Sequence, residues 1–147
     1  MFIIKNKKIQ GMKRRGKWLI FELEDFFLLS HLRMEGKYFF KTNKDELLKH
    51  EHVVITLNNE IELRYHDVRK FGKMLLIEKE KIKEFGPLTE LGYEPWDEKL
   101  NITYLKEKYK NKRLPIKTVL LDQSIITGIG NIYADEITSW SALFQLD

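Results

Sequence analysis

The residues best placed to do chemistry in this sequence fall in four short clusters. The longest is Leu120 to Glu136, LLDQSIITGIGNIYADE, where an apolar run leads into Gly128, Ile129, Gly130 and Asn131 and then a helical pattern. Gly128 and Gly130 can take φ > 0 and have no side chain to block close approach, so the backbone can lie against a flat or charged partner. Asn131 falls where the N-cap of the next helix is expected, and exposed amides at a helix N-terminus hold phosphate. The glycines alone fit better a helix, a turn and a helix that pack a core and bind nothing. The second cluster, Arg14-Arg15-Gly16-Lys17, is basic and stands just ahead of a strand, or is simply a charged turn. The third, His31-Leu32-Arg33-Met34, ends an apolar strand beside Gly36, where Met also serves as core filler. The fourth is His66-Asp67-Val68-Arg69-Lys70-Phe71-Gly72. A loop presenting Arg and Phe together can push a ring between base steps while the guanidinium bonds an unpaired base edge. A Phe in this place is by itself more often a core residue than a wedge.

These clusters must be positioned by two kinds of scaffold. Ile9 to Leu32 alternates basic and apolar runs around an acidic turn at Glu24-Asp25, which predicts a β-hairpin. KYFFK after Gly36 predicts a short strand, and Thr42 to Glu51 a loop or short helix. HVVITL and IELRY, joined by Asn58-Asn59-Glu60, predict a second hairpin, with a strand over Gly72 to Glu78. Short strands with few helical periods predict a β-sandwich or barrel up to about residue 80. The texture then changes. Gly86-Pro87, Gly92 and Pro95 mark a linker over residues 81–98. Ile102, Leu105 and Tyr109 predict one face of a helix, and Pro115 suits the first turn of another over Ile116 to Leu121, ahead of the glycine turn and a final helix. The reading is α+β: a β-sandwich over 1–80, a linker over 81–98 and a helical domain over 99–147.

A chain of 147 residues, 43% hydrophobic and 33% charged, fits a globular protein with an ordinary core. No apolar run is long enough to span a bilayer and no signal peptide is recognisable, which predicts a cytoplasmic protein. Cys is absent, so disulfides and thiolate zinc sites are excluded from these residues. The four His do not show metal-binding spacing. The net charge of +4 is unevenly spread. Lys5, Lys7, Lys8, Lys13, Arg14, Arg15 and Lys17 precede the first acidic residue, and six basic residues face only Glu107 between Asn101 and Val119. Both blocks suit a polyanion, or a lysine-rich solvated surface.

In order along the chain, GMKRRGKWLIFEL, LLSHLRMEGKY, YHDVRKFGKMLL, LGYEP and IKTVLLDQSIITGIGNIYADE resemble segments of bacterial formamidopyrimidine-DNA glycosylase, of the formamidopyrimidine-DNA glycosylase and endonuclease VIII family. The last resembles that family's helix-two-turn-helix. The resemblance implies a β-sandwich linked to a helical domain with double-stranded DNA between them. It also implies a monomeric bacterial, nucleoid-associated repair enzyme that excises 8-oxoguanine and formamidopyrimidines and then cleaves the strand at the abasic site. By the same resemblance Lys17 contacts phosphate near the lesion, and Met34, Arg69 and Phe71 fill the gap left by the everted nucleotide. Arg69 faces the orphaned base and Phe71 is the wedge. Lys117 and Asn131 are DNA-binding residues of the helical domain, Asn131 gripping phosphates. Nucleotide eversion requires such fillers.

Three departures accompany the match. Val68 stands where many relatives have Pro. The family's N-terminal proline nucleophile, which forms a Schiff base, and its assisting glutamate have no counterpart, because Pro87, Pro95 and Pro115 are internal. The four zinc-binding Cys of the family are absent as well, so no cofactor is expected in this chain. The sequence reads as the middle of the enzyme, with no catalytic residue of its own and an expectation of little excision by the isolated chain. It also carries an expectation of a bared sheet edge. The rival from another class is a non-catalytic damaged-DNA or nucleic-acid-binding module. A ribosomal or topoisomerase-type helix-two-turn-helix protein gives Met34, Arg69 and Phe71 no role.

Overall fold

The computed structural model describes residues 4–84 and 86–143. Seven strands come first: β1 (Gly11–Arg15), β2 (Trp18–Glu22), β3 (Phe26–His31), β4 (Lys37–Thr42), β5 (Glu51–Thr56), β6 (Ile61–His66) and β7 (Lys73–Glu78). A 3-10 turn (Lys79–Lys81) follows, then the helices α1 (Ile102–Tyr109), α2 (Ile116–Leu120) and α3 (Asn131–Leu143). The strands form a four-stranded sheet in the order β1-β2-β3-β7 and a three-stranded sheet in the order β4-β6-β5. By its contacts the chain divides into two compact units, Met1–Met12 with Trp18–Leu76, and Lys13–Lys17 with Ile77–Asp147. The β-rich and helical halves read from the sequence are both present. The exception is Lys13–Lys17, which belongs with the helical unit and not with the strands around it.

In the first unit the two sheets meet through alternate apolar residues. Phe21 on β2 and Tyr38 on β4 make an edge contact at 5.7 Å between ring centroids, and Tyr38 lies 5.2 Å from Tyr65 on β6. Leu29 is fully buried among them, and the Tyr38 hydroxyl donates to Ser30 Oγ at 2.8 Å. Both expected hairpins form. In the first, Leu23 N donates to Phe26 O at 2.9 Å across Glu24-Asp25. In the second, Glu60 takes φ +62° to close the three-residue loop, with Leu57 N on Ile61 O at 2.8 Å.

β6 is buried on both faces. Leu63 and Tyr65 face the core, and Arg64, 2% exposed, faces the other way. All five of its N–H groups are used. Nε donates to Glu62 Oε2 at 2.8 Å, Nη1 to Glu46 O and Glu51 Oε2 at 2.9 Å each, and Nη2 to Thr42 O at 3.0 Å and Asp45 O at 2.7 Å. The stretch after β4 is a loop with isolated turns, not a short helix: the carbonyls of Thr42, Asp45 and Glu46 accept from the guanidinium.

The second unit has its own core of Leu120, Ile125, Ile126, Ile129 and Ala134, with Tyr104, Leu105 and Tyr109 of α1 packed against it. Asn101 caps α1, its Oδ1 accepting from Tyr104 N at 2.9 Å. The buried face of α1 differs from the expected one. Tyr104, whose hydroxyl reaches Ile125 O at 3.1 Å, packs inward while Ile102 is exposed. Residues 81–98 are not a free linker either, because Tyr93 pairs with Ile126 and Gly92 N donates to Gln123 O at 2.9 Å.

Glu51 supplies a pH test. The Lys41 hydrogen bond above all holds its carboxyl at about 2 against an ordinary 4.5. Burial opposes this, and the Leu48 amide and Arg64 assist. A depressed carboxylate contributes stability that is complete above its unfolded value and lost as pH falls through the folded one. The urea midpoint is therefore expected to drop between pH 4.5 and about 2. Glu51→Gln is expected to start lower and lose part of that slope. A slope unchanged by the substitution contradicts the assignment.

Candidate nucleic-acid interface

The first unit carries an exposed apolar surface edged with cations. Met34 is 78% and Phe71 58% exposed, so neither fills a core. Arg69 lies with them, its Nη1 3.8 Å from Met34 Sδ and its Nε 3.2 Å from Glu35 Oε1. Arg33, Met34, Phe71 and Lys73 line one shallow open groove. Two non-glycine residues in these turns take left-handed backbone, Arg33 at φ +55° and Lys70 at φ +57°. Such conformations persist only where the surroundings over-determine them.

For the Arg69 to Phe71 loop that role falls to Asp67, 1% exposed. Its Oδ1 accepts from Arg69 N at 3.1 Å, and its Oδ2 from Gly72 N and the Tyr65 hydroxyl at 2.9 Å each. Burial pushes the Asp67 carboxyl up, but the bonds from Gly72, Tyr65, Lys70 and Arg69 together hold it below the ordinary carboxylate value. Burial, and then the Asp67 bond, push the Tyr65 hydroxyl up to about 12, so it stays a donor. His52 Nε2 donates to Asp67 O at 2.8 Å and fixes the loop's base. The restraint that Val68 lacks is thus provided by a carboxylate. Sequence reasoning passed over Asp67, although Asp two residues before a loop amide is the signature of an Asx-turn.

The second unit brings Lys17 to the glycine turn. Lys17 Nζ donates to Ile129 O at 3.0 Å, and a Cβ on Gly130 would stand 3.2 Å from that ammonium. Gly128 takes φ +96° and donates to Gln123 Oε1 at 2.8 Å, while Gln123 Nε2 donates to Ile129 O at 2.9 Å. Gln123, which nothing in the sequence singled out, therefore braces both ends of the turn. Ala134 N bonds Gly130 O at 2.9 Å, so Gly130 holds the N-cap place and Asn131 is the first residue of α3. This corrects the expected cap by one position. The Asn131 amide is exposed, and it makes no hydrogen bond among the described residues. Lys117 is engaged elsewhere, its Nζ 2.6 Å from Asp135 Oδ1.

The arginines of the basic cluster are structural. Glu94 Oε1 accepts from Gly16 N at 2.7 Å and lies 3.4 Å from Arg15 Nη1 and 3.5 Å from Arg14 Nη1. Arg15 Nη2 donates to Gly92 O, and Arg14 lies over the Trp96 ring at 5.1 Å. Of the four residues Arg14 to Lys17, only Lys17 reaches the glycine turn. The zinc ion of the resemblance finds no fit: the chain has no Cys, and no group of three metal-ligating side chains occurs among the described residues. No helix among them is long and apolar enough to cross a membrane.

Comparison with known proteins shows the family. Residues 3–74 match the formamidopyrimidine-DNA glycosylase N-terminal domain, and residues 91–145 match the helix-two-turn-helix domain of the same enzymes. The chain belongs to the formamidopyrimidine-DNA glycosylase family. It is 47% identical over 134 residues to the formamidopyrimidine-DNA glycosylase of Oceanobacillus iheyensis, covering 91% of this chain and 48% of that protein. Among solved structures, the Lactococcus lactis enzyme bound non-covalently to DNA containing an abasic site is similar with a TM-score of 0.83 and 42% identity, over 89% of this chain and 50% of that one. A MutM complex with DNA containing carbocyclic 8-oxo-G is similar with a TM-score of 0.84 and 40% identity, over 92% and 51%. The chain spans about half the length of the curated relatives it matches.

The β1–β2 turn yields a prediction. A Cβ on Gly16, at φ +56°, would stand 2.2 Å from Thr127 Oγ1, a buried oxygen with no hydrogen-bond partner. Gly16→Ala is expected to cost about 1–3 kcal/mol of stability in urea unfolding. Thr127→Ala, which removes an unpaired oxygen, is expected to restore part of it in the double variant. Simple additivity of the two contradicts the contact.

Proposed function

We propose that this chain is the duplex-gripping part of a base-excision repair glycosylase and abasic-site lyase that acts on oxidised purines, 8-oxoguanine and formamidopyrimidines, in the bacterial cytoplasm. One observation carries the reading: Met34, Arg69 and Phe71 share an exposed surface flanked by Arg33 and Lys73 in a chain of this family. In this reading Met34 and Phe71 enter the stack vacated by the everted nucleotide, and Arg69 leaves Glu35 to bond the orphaned base. Lys17, Asn131 and the amides that open α3 hold phosphate, since a helix N-terminus and an ammonium both favour an anion. Lys117 joins them once phosphate displaces Asp135, an exchange that exposed ion pairs of about 0–1 kcal/mol permit.

A second reading, a non-catalytic damaged-DNA-binding module, takes the exposed surface of Met34, Arg69 and Phe71 as the whole of its function. The two readings differ in covalent chemistry. Borohydride treatment of the 147-residue chain with an abasic-site duplex is expected to leave no adduct. An adduct would place the lyase chemistry within these residues.

Both readings require damage-selective binding. In fluorescence anisotropy, Met34→Ala and Phe71→Ala are each expected to lower the preference for abasic over intact duplex about tenfold. Lys17→Ala is expected to weaken both duplexes alike and reduce the salt slope by about 1. Equal affinity of the unaltered chain for abasic and intact duplex would reject the reading.

A further inference from the structure

We propose that the Tyr65 hydroxyl couples the Met34 turn to the Arg69–Phe71 loop, making Tyr65 a positioning residue that turns two loops into one preformed wedge. The inference rests on the duplex-binding reading above. The two turns are 35 positions apart in sequence at Met34 and Arg69, and each has a glycine pressed against the same buried oxygen. A Cβ on Gly36 would stand 2.5 Å from the Tyr65 hydroxyl oxygen, and one on Gly72 1.7 Å from it. The hydroxyl therefore sits between two backbones, one from each loop, that approach as only glycine allows. It is fixed from behind by the Tyr38 ring at 5.2 Å, and its proton goes to Asp67 Oδ2 at 2.9 Å, the oxygen that also receives Gly72 N.

Neither glycine can move inward against the ring, and outward movement of Gly72 leaves a buried carboxylate short of a donor. On the other side, Gly36 N is held by Leu32 O at 3.0 Å, which closes the Met34 turn over the same hydroxyl. Exposed side chains at Met34 and Phe71 would otherwise lose much conformational freedom on entering a base stack. Presenting them from a fixed platform lowers that loss. The left-handed residues Arg33 and Lys70 lie in these two turns, and the shared oxygen is the constraint that keeps both turns in shape.

The test uses the full chain and a duplex carrying 2-aminopurine beside an abasic site, where stack opening raises fluorescence. The unaltered chain is expected to give that rise. Tyr65→Phe keeps the ring and removes the coupling oxygen. It is expected to bind intact duplex within about twofold of the unaltered chain, to lose most of the 2-aminopurine rise and to exchange the Gly72 amide at least about tenfold faster. A merely structural role would instead weaken binding to abasic and intact duplex alike, in proportion to any loss of melting temperature. Gly36→Ala repeats the test from the other loop, independently of whether Tyr65→Phe folds. It is expected to speed exchange at the Gly72 amide, across the hydroxyl. A full fluorescence rise with Tyr65→Phe, or unchanged Gly72 exchange with Gly36→Ala, overturns the coupling alone. No rise from the unaltered chain overturns the duplex reading and the coupling with it.

Discussion

A carboxylate shut away from water stays charged only if donors surround it, and in this protein that constraint shapes the loop that exposes Phe71. Asp67 draws its donors from the loop it must hold: the amides of Arg69, Lys70 and Gly72, together with the Tyr65 hydroxyl. Losing any one leaves a buried charge under-satisfied, which costs more than an ordinary hydrogen bond contributes. The loop therefore has one well-defined shape, and Phe71 is held out in solvent where an apolar ring gains nothing unless a partner covers it. The sheet beneath is built by the same device at larger scale. Arg64 spends all five donors on the loop that follows β4 and on Glu51 and Glu62, so that face of β6 is closed by polar groups as firmly as the opposite face is by Leu63 and Tyr65.

The helical unit solves a different problem, how to leave amides open at the start of α3. Glycine at 128 and 130 lets the chain turn, but glycine alone would leave it loose. Gln123 supplies the missing restraint through one amide group bonded to Gly128 N and Ile129 O, and Lys17 adds a cation on that same carbonyl. The arginines beside Lys17 look like phosphate ligands in a list of charges, yet Glu94 and the Gly92 carbonyl occupy them. At the glycine turn the exposed residues include Lys17 and Asn131, at the first turn of a helix.

Much of this was legible in the sequence. Alternating strands, acidic and Asn-rich turns and the helical texture after residue 100 reflect local periodicities that tertiary contacts then respected. Met34, Arg69 and Phe71 were picked out through the family resemblance, since by residue type alone Met34 and Phe71 fitted a core better than a surface, and the glycine turn through its spacing ahead of a helical pattern. What escaped was whatever depends on partners distant in sequence. Nothing local tells that Arg64 is buried, that Tyr104 and not Ile102 turns inward, or that Lys13–Lys17 packs with residues 77–147. The exact N-cap of α3 was missed for a smaller reason: Gly130 and Asn131 are both acceptable there, and the hydrogen bond to Ala134 alone decides between them.

The central claim is that the surface around Met34 and Phe71 enters the base stack of damaged DNA. Its most direct measurement is the Met34 methyl resonance during titration with an abasic-site duplex, the other methionines serving as internal references. Insertion predicts a large ring-current shift of Met34 and cross-peaks to the bases flanking the gap. A Met34 methyl that stays where it was while the duplex binds would contradict the claim.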